Sequence, residues 1–209
     1  MNNTEIAKFN MIEQQIRPWE VLDHQVLSTL QQVNREDFVD PAYHGLAYAD
    51  CQIPIADGVR MLPPVVAGRM LQALLLEDDD AALVIGCGSG YIGACIARLA
   101  ARVKCIDSDP ALIELARANA ERAGAEGIAF EQANPLQLDS PSGFDAIAVT
   151  GSLEEVPHNL KLALKPGGRL FVVVGDSPVM EALLITRVGD AEWTSRSLFE
   201  TDLPRLRTA

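Results

Sequence analysis

From residue 81 onward, short apolar runs alternate with longer amphipathic segments. That rhythm is the signature of strand followed by helix. It predicts strands at 82–85, 103–106, 128–131, 144–149 and 169–174, with helices at 90–100, 110–123 and 154–164. Residues 182–188 and 192–198 flank Gly189-Asp190 and read as an antiparallel hairpin. Strands alternating with helices imply a parallel sheet covered on both faces. The expected fold is therefore α/β, with a doubly wound, mostly parallel seven-stranded sheet and an antiparallel C-terminal hairpin.

The chain ahead of this rhythm reads as a helical extension. Ile6, Phe9, Ile12 and Ile16 recur at helical spacing until Pro18 closes the segment. Asp23 is placed to cap a second helix carrying Val26, Leu27, Leu30 and Val33 on one face. Residues 50–64, punctuated by Pro54, Gly58, Pro63 and Pro64, read as a loop suited to act as a lid, and a helix is expected at 65–76. The acidic run at 77–80 reads as a solvated turn. The domain reading is an N-terminal helical extension with a substrate-side loop over 1–64, and a cofactor-binding domain over 65–209.

Composition narrows the function. The chain has 209 residues, is 48% hydrophobic and carries a net charge of −12, so nucleic acid is not an expected partner. Lys and Arg cluster only at Arg205 and Arg207. No apolar run is long enough to span a bilayer, and Met1-Asn-Asn-Thr-Glu lacks the features of a signal peptide. No membrane partner and a cytoplasmic location are the expectations. Cys51, Cys87, Cys95 and Cys105 lack metal-ligand spacing, and the three histidines are scattered. Free thiols and no metal are expected.

The chemistry concentrates after the first strand of the repeat. Gly86-Cys-Gly-Ser-Gly90 follows an apolar strand and opens a helix. Glycines there let the backbone turn tightly and approach a ligand. Tyr91 occupies the sixth position, against the dinucleotide fingerprint, and no Gly-Lys-Ser/Thr follows, against a phosphate loop. Gly-x-Gly-x-Gly is the spacing of methyltransferases that use S-adenosyl-L-methionine. Asp107 lies 21 positions after Gly86, at the end of the next strand, where a carboxylate accepts from both ribose hydroxyls. Cofactor-side candidates are thus Gly86, Cys87, Gly88, Ser89, Gly90, Asp107 and Ser108. Asn134 and Pro135 are placed for the adenine ring, and Thr150 for the reacting end. Asn134 also reads as a turn residue before Pro135. Asp145, early in its strand, reads as structural.

These residues together resemble the protein-L-isoaspartate O-methyltransferase family. The resemblance runs from Met11 to about Val174. It is carried by Arg35-Glu-Asp-Phe-Val-Asp40, Ala47-Tyr-Ala-Asp50, Pro54-Ile-Ala-Asp-Gly58, Ala67-Gly-Arg-Met70, the glycine loop, Phe144-Asp-Ala-Ile-Ala-Val-Thr150 and Leu164-Lys-Pro-Gly-Gly-Arg-Leu170. It implies the class I S-adenosylmethionine-dependent methyltransferase fold. It also implies methylation of isoaspartyl carboxylates in damaged proteins, with S-adenosyl-L-homocysteine as the product. Three positions depart from the family pattern. Leu62 stands where the active-site serine is expected, Val84 replaces an acidic residue, and Asn134 stands where Asp is usual. The chain resembles a divergent bacterial branch.

Methyl transfer to a carboxylate needs no general base, because the acceptor is already ionised near neutral pH. Arg60, two residues before Leu62, is a candidate to pair with the acceptor carboxylate. The expected acceptor is an isoaspartyl-containing protein or peptide. A small-molecule acceptor and a catalytically weak cofactor-binding homologue are the alternatives. A monomer is expected.

Overall fold

A computed structural model describes residues 3–134, 137–138 and 141–208. The chain opens with α1 (Asn3–Asn10), which continues into a π-helical turn (Met11–Ile16) and a tight turn (Arg17–Trp19). Met11, Ile12 and Ile16 are buried, whereas Ile6 and Phe9 are 42% and 50% exposed. The expected four-residue apolar stripe therefore breaks in the middle. The wider π turn rotates the buried face, so α-helical spacing carried across residues 10–11 predicts the wrong side. The second helix, α2 (His24–Gln32), begins where Asp23 accepts a hydrogen bond from the Val26 N–H at 2.9 Å.

Residues 50–64 are more ordered than the expected loop. They hold a small antiparallel hairpin of β1 (Ile53–Ala56) and β2 (Val59–Met61) around Asp57-Gly58. Asp-Gly between apolar positions is a hairpin turn signal, and Gly58 takes φ of +68° there. The prolines masked it. Pro54 is tolerated because the hairpin is two-stranded and has a free edge. Pro64 then starts α3 (Pro64–Leu74) from its first turn. In the acidic run that follows, Asp80 departs from the expected solvated role. It is 8% exposed, accepts from the Glu77 N–H and pairs with Arg169 at 3.2 Å.

The main sheet comprises β3 (Ala81–Ile85), β4 (Arg102–Asp107), β5 (Ile128–Gln132), β6 (Phe144–Leu153), β7 (Leu164–Asp176), β8 (Val179–Arg187) and β9 (Trp193–Thr201). Their order is β5-β4-β3-β6-β7-β8-β9, with the first five mutually parallel, β8 antiparallel to β7, and β9 antiparallel to β8. This is the doubly wound seven-stranded arrangement with its C-terminal hairpin. Between the strands lie α4 (Tyr91–Ile96), α5 (Pro110–Arg122) and α6 (His158–Ala163). α4 and α6 are shorter than the sequence pattern suggested, while β6 and β7 are longer.

β3 explains how one strand serves two cores. All five of its residues are buried. Ala82 and Val84 join the apolar cluster that also holds Met11, Leu30 and Met70, whereas Leu83 and Ile85 join Leu160 and Leu170 on the other face. Side chains alternate across a strand, so a continuous apolar run is what a doubly covered sheet requires. Truncating a fully buried ring in this layer, as in Phe171→Ala, costs about 3–5 kcal/mol.

Candidate functional site

Winding direction fixes where a ligand fits. After β3 the chain turns toward β4, and after β6 toward β7, on opposite sides of the β3–β6 pair. The carboxyl ends of β3 and β6 are thus the topological switch point, where open α/β sheets bind ligands. Gly86 and Gly88 leave β3 there, and Thr150 and Gly151 lie near the end of β6. The Thr150 hydroxyl donates to the Gly86 carbonyl and lies 3.3 Å from the Ile85 carbonyl, which ties the two strand exits together.

A narrow cleft opens at this point. Gly86, Gly88, Asp107 and Thr150 all line it, joined by Leu112, Gly151 and, from the β1–β2 hairpin, Val59 and Arg60. An adjoining recess reaches Cys87, Ser89, Leu62, Ile55, Tyr91 and Ile92. Arg60 borders both spaces. It is exposed and has no ion-pair partner among the described residues. Leu62 is 4% exposed.

Asp107 does not cap α5. Asp109 caps α5 by accepting from the Ala111 N–H at 2.9 Å, which leaves the carboxylate of Asp107 facing the cleft. Asp107 is only 4% exposed. Burial raises its pKa, opposed by hydrogen bonds from the backbone N–H groups of Asp109 and Gly88 and from the Cys87 thiol. Burial and the Asp107 charge in turn push the Cys87 thiol up, so Cys87 is a neutral donor and not a nucleophile. The four cysteines are free, and all but Cys51 are buried.

Other candidates have different neighbours. Gly86 takes φ of +79°, and a Cβ there would stand 2.6 Å from Leu206 Cδ1 and 2.8 Å from the Thr150 hydroxyl. Gly90 takes φ of +89°, but its missing Cβ makes room for the Ala116 carbonyl of α5, 2.8 Å away. Gly90 therefore packs two helices together and lines neither space. Ser108 gives its hydroxyl to the Arg207 carbonyl at 3.3 Å. Asn134 follows β5 and is not among the residues lining the cleft; its carbonyl accepts from the Gln137 N–H at 3.0 Å. Pro135 lies outside the described residues. Asp145 sits at the opposite edge of the sheet, bonded to the Ala81 N–H at 2.8 Å and paired with Lys165 at 2.6 Å. This is the structural role its strand position suggested.

The sequence reading missed one wall. The C-terminal segment crosses the carboxyl edge of the sheet and contributes Pro204, Arg205, Leu206 and Arg207 to the cleft. Ser152 of β6 anchors it: its N–H donates to the Pro204 carbonyl and its carbonyl accepts from the Leu206 N–H, both at 2.9 Å. Its hydroxyl bonds the Leu203 carbonyl. Arg207 pairs with Asp109 at 3.1 Å, two residues after Asp107. The only signal in the sequence was the Arg205/Arg207 pair itself, with nothing to say where it lands.

Comparison with known proteins agrees with this geometry. The model of the protein-L-isoaspartate(D-aspartate) O-methyltransferase family matches residues 6–202. A protein-L-isoaspartate O-methyltransferase of Rhodopseudomonas palustris is 34% identical over 190 residues, covering 90% of this chain and 87% of the relative. One from Pelobacter propionicus, "Protein-L-isoaspartate O-methyltransferase 2", is 34% identical over 95% of this chain and 89% of its own. Among solved structures, a Plasmodium falciparum chain described as a protein-L-isoaspartate O-methyltransferase in complex with S-adenosyl-L-homocysteine superposes with a TM-score of 0.84, at 21% identity and full coverage of both chains. A second solved protein-L-isoaspartate O-methyltransferase gives 0.82 at 23% identity, covering 98% of this chain and 66% of the other. The architecture is that of class I methyltransferases, and the chain belongs to the protein-L-isoaspartate(D-aspartate) O-methyltransferase family.

Proposed function

We propose that this protein uses S-adenosyl-L-methionine to methylate the free carboxylate of isoaspartyl residues in proteins and peptides, leaving S-adenosyl-L-homocysteine. The observation that carries the reading is the buried carboxylate of Asp107 facing a glycine-lined cleft at the switch point. The residues present fit such a cofactor. A dehydrated carboxylate needs donors, and a pair of ribose hydroxyls supplies them. Gly86 and Gly88 bring bare backbone to the cleft wall, where Leu206, Thr150 and Ile55 are the side chains that approach them. Bound there, the cofactor supplies a methyl group on a sulfonium, ready for in-line displacement.

The chain's own residues have a limited task. No proton has to move, because the acceptor is a carboxylate and ionised near neutral pH. An acceptor oxygen would take the methyl group directly, with the sulfur keeping the bonding electron pair, so no side chain is needed as acid or base. Asp107 holds the ribose end, and Thr150, braced on the Gly86 carbonyl, shapes the floor below the reacting end. Arg60 stands at the mouth with no carboxylate of its own and pairs with the acceptor. Leu62, in the position expected for serine, and Ile55, Met61 and Ile92 give the recess an apolar lining that excludes water. Holding the reactants in line is then the main catalytic contribution.

Calorimetric titration with S-adenosyl-L-homocysteine, followed by turnover of an isoaspartyl peptide by wild type and Arg60→Ala, tests this reading. Single-site binding and a loss of kcat/KM on the order of tenfold or more in Arg60→Ala are expected, as a charge-assisted hydrogen bond is removed. Equal rates would take Arg60 out of the mechanism. Binding without turnover would reject the isoaspartyl acceptor and turn the search to small-molecule carboxylates.

A further inference from the structure

Arg35 is fully buried, yet among the described residues no carboxylate pairs with it. A guanidinium in that state is costly to keep. What it touches gives a reason. Its Nε donates to the Ala47 carbonyl at 2.7 Å, and its Nη2 to the Leu62 carbonyl at 2.9 Å. Its Cζ lies 4.8 Å from the centre of the Tyr91 ring. Phe38, from the same short turn as Arg35, packs edge-on against that ring. The remaining nitrogen, Nη1, has no hydrogen-bond partner.

These contacts join separate pieces of the site. Tyr91 is the first residue of α4, directly after the glycine loop. Leu62 follows the hairpin and stands two residues beyond Arg60. Pro63 comes next and has no N–H, and Pro64 lacks one too, so the strand-to-helix passage cannot be tied down by its own donors there. The planar fork of one arginine instead fixes the Leu62 carbonyl relative to Tyr91. A lysine ammonium offers a point charge without that fork.

We infer that Arg35 is a positioning residue: it sets the distance between the acceptor-side segment 60–62 and the cofactor-side glycine loop. It touches no reactant and acts through the Leu62 carbonyl and the Tyr91 ring. The inference deepens the proposed function and rests on its assignment of residues 60–62 to the acceptor.

The test compares wild type with Arg35→Lys and Arg35→Gln. Measured are melting cooperativity, affinity for S-adenosyl-L-homocysteine, kcat and KM with an isoaspartyl peptide, and amide hydrogen exchange across the hairpin. Rates are normalised to sites that bind S-adenosyl-L-homocysteine. The variants are expected to melt cooperatively and keep near-wild-type affinity. Their kcat/KM should fall on the order of tenfold or more, the scale of a small misplacement of reactants. Amides of residues 53–61 should exchange faster while those of β3 and β4 do not change. Full kcat/KM, a loss that merely follows loss of cofactor-product binding, or unchanged hairpin exchange would overturn the inference. So would failure of both variants to fold, which would make Arg35 a core residue only. If wild type itself binds S-adenosyl-L-homocysteine but does not turn over the peptide, the acceptor assignment falls, and hairpin exchange alone decides the role of Arg35.

Discussion

At Asp107 the ribose contact we propose sets binding against stability. Burial raises its pKa, so the folded chain holds a proton there more readily than the unfolded chain, whose value is about 3.9. The charge on Asp107 therefore costs stability above the folded-state pKa, and the cost fades as pH falls below the unfolded value. Asp107→Asn is predicted to melt at or above wild type at pH 7, with the margin vanishing toward about pH 4 and below. Its affinity for S-adenosyl-L-homocysteine should drop by about tenfold or more, the size of a lost hydrogen bond to a charged group. Thermal melts across that pH range, with calorimetry at pH 7, check both halves. A variant that melts well below wild type at pH 7 would mean the carboxylate is structural. Asp145 is the opposite case. Burial raises its pKa, but Lys165 and the Ala81 N–H outweigh that and lower it. Asp145→Ala strands the buried Ala81 N–H and should cost about 1–3 kcal/mol in urea unfolding. Cofactor-product affinity should not change, because the residue lies at the far edge of the sheet. At this scale the sequence was informative where the requirement is local. Gly86 and Asp107 occupy positions that backbone geometry alone singles out. Gly90 looked like part of the same loop, but its smallness answers to Ala116, 26 positions away, which no local pattern reveals.

At the scale of elements, periodicity served β3, β6, β7 and α5 well, because apolar side chains recur there at the period of the element. It failed where the backbone leaves its regular period. The π turn at Met11–Ile16 rotated the buried face, and the prolines around β1 and β2 hid a hairpin. The C-terminal segment had no periodicity to read. Its place is set by Ser152 and Asp109, both distant in sequence. The segment also lies beyond the residues matched by the family model. Leu206 against Gly86 and Gly151 makes it a wall of the cleft. Deleting residues 204–209 is predicted to leave a cooperative fold and weaken S-adenosyl-L-homocysteine binding by about tenfold, given the apolar contact a leucine contributes. Calorimetry on the shortened chain checks this. Unchanged or tighter binding would make the segment a plug that the ligand must displace.

For the whole molecule, the decisive feature is the winding of the sheet. The β3–β6 switch point gathers Gly86, Gly88, Asp107 and Thr150 from separate stretches of chain, and the N-terminal hairpin closes over them with Arg60. The alternation of strands and helices made the doubly wound sheet legible, and with it the carboxyl edge where the cleft lies. The hairpin side of the cleft was less legible, since it depends on how the first 64 residues drape over that edge. No described helix is long and apolar enough to cross a membrane. Arg205 pairs with Asp176 and Arg207 with Asp109, which leaves Arg60 as the cation at the mouth of the cleft without an ion-pair partner among the described residues. The most direct test supplies methyl-labelled S-adenosyl-L-methionine together with two peptides that differ only in one aspartyl linkage, isoaspartyl in one and ordinary aspartyl in the other. The predicted result is a base-labile methyl ester on the isoaspartyl peptide, and little or none on its partner. Label on neither peptide, or equally on both, would contradict the account.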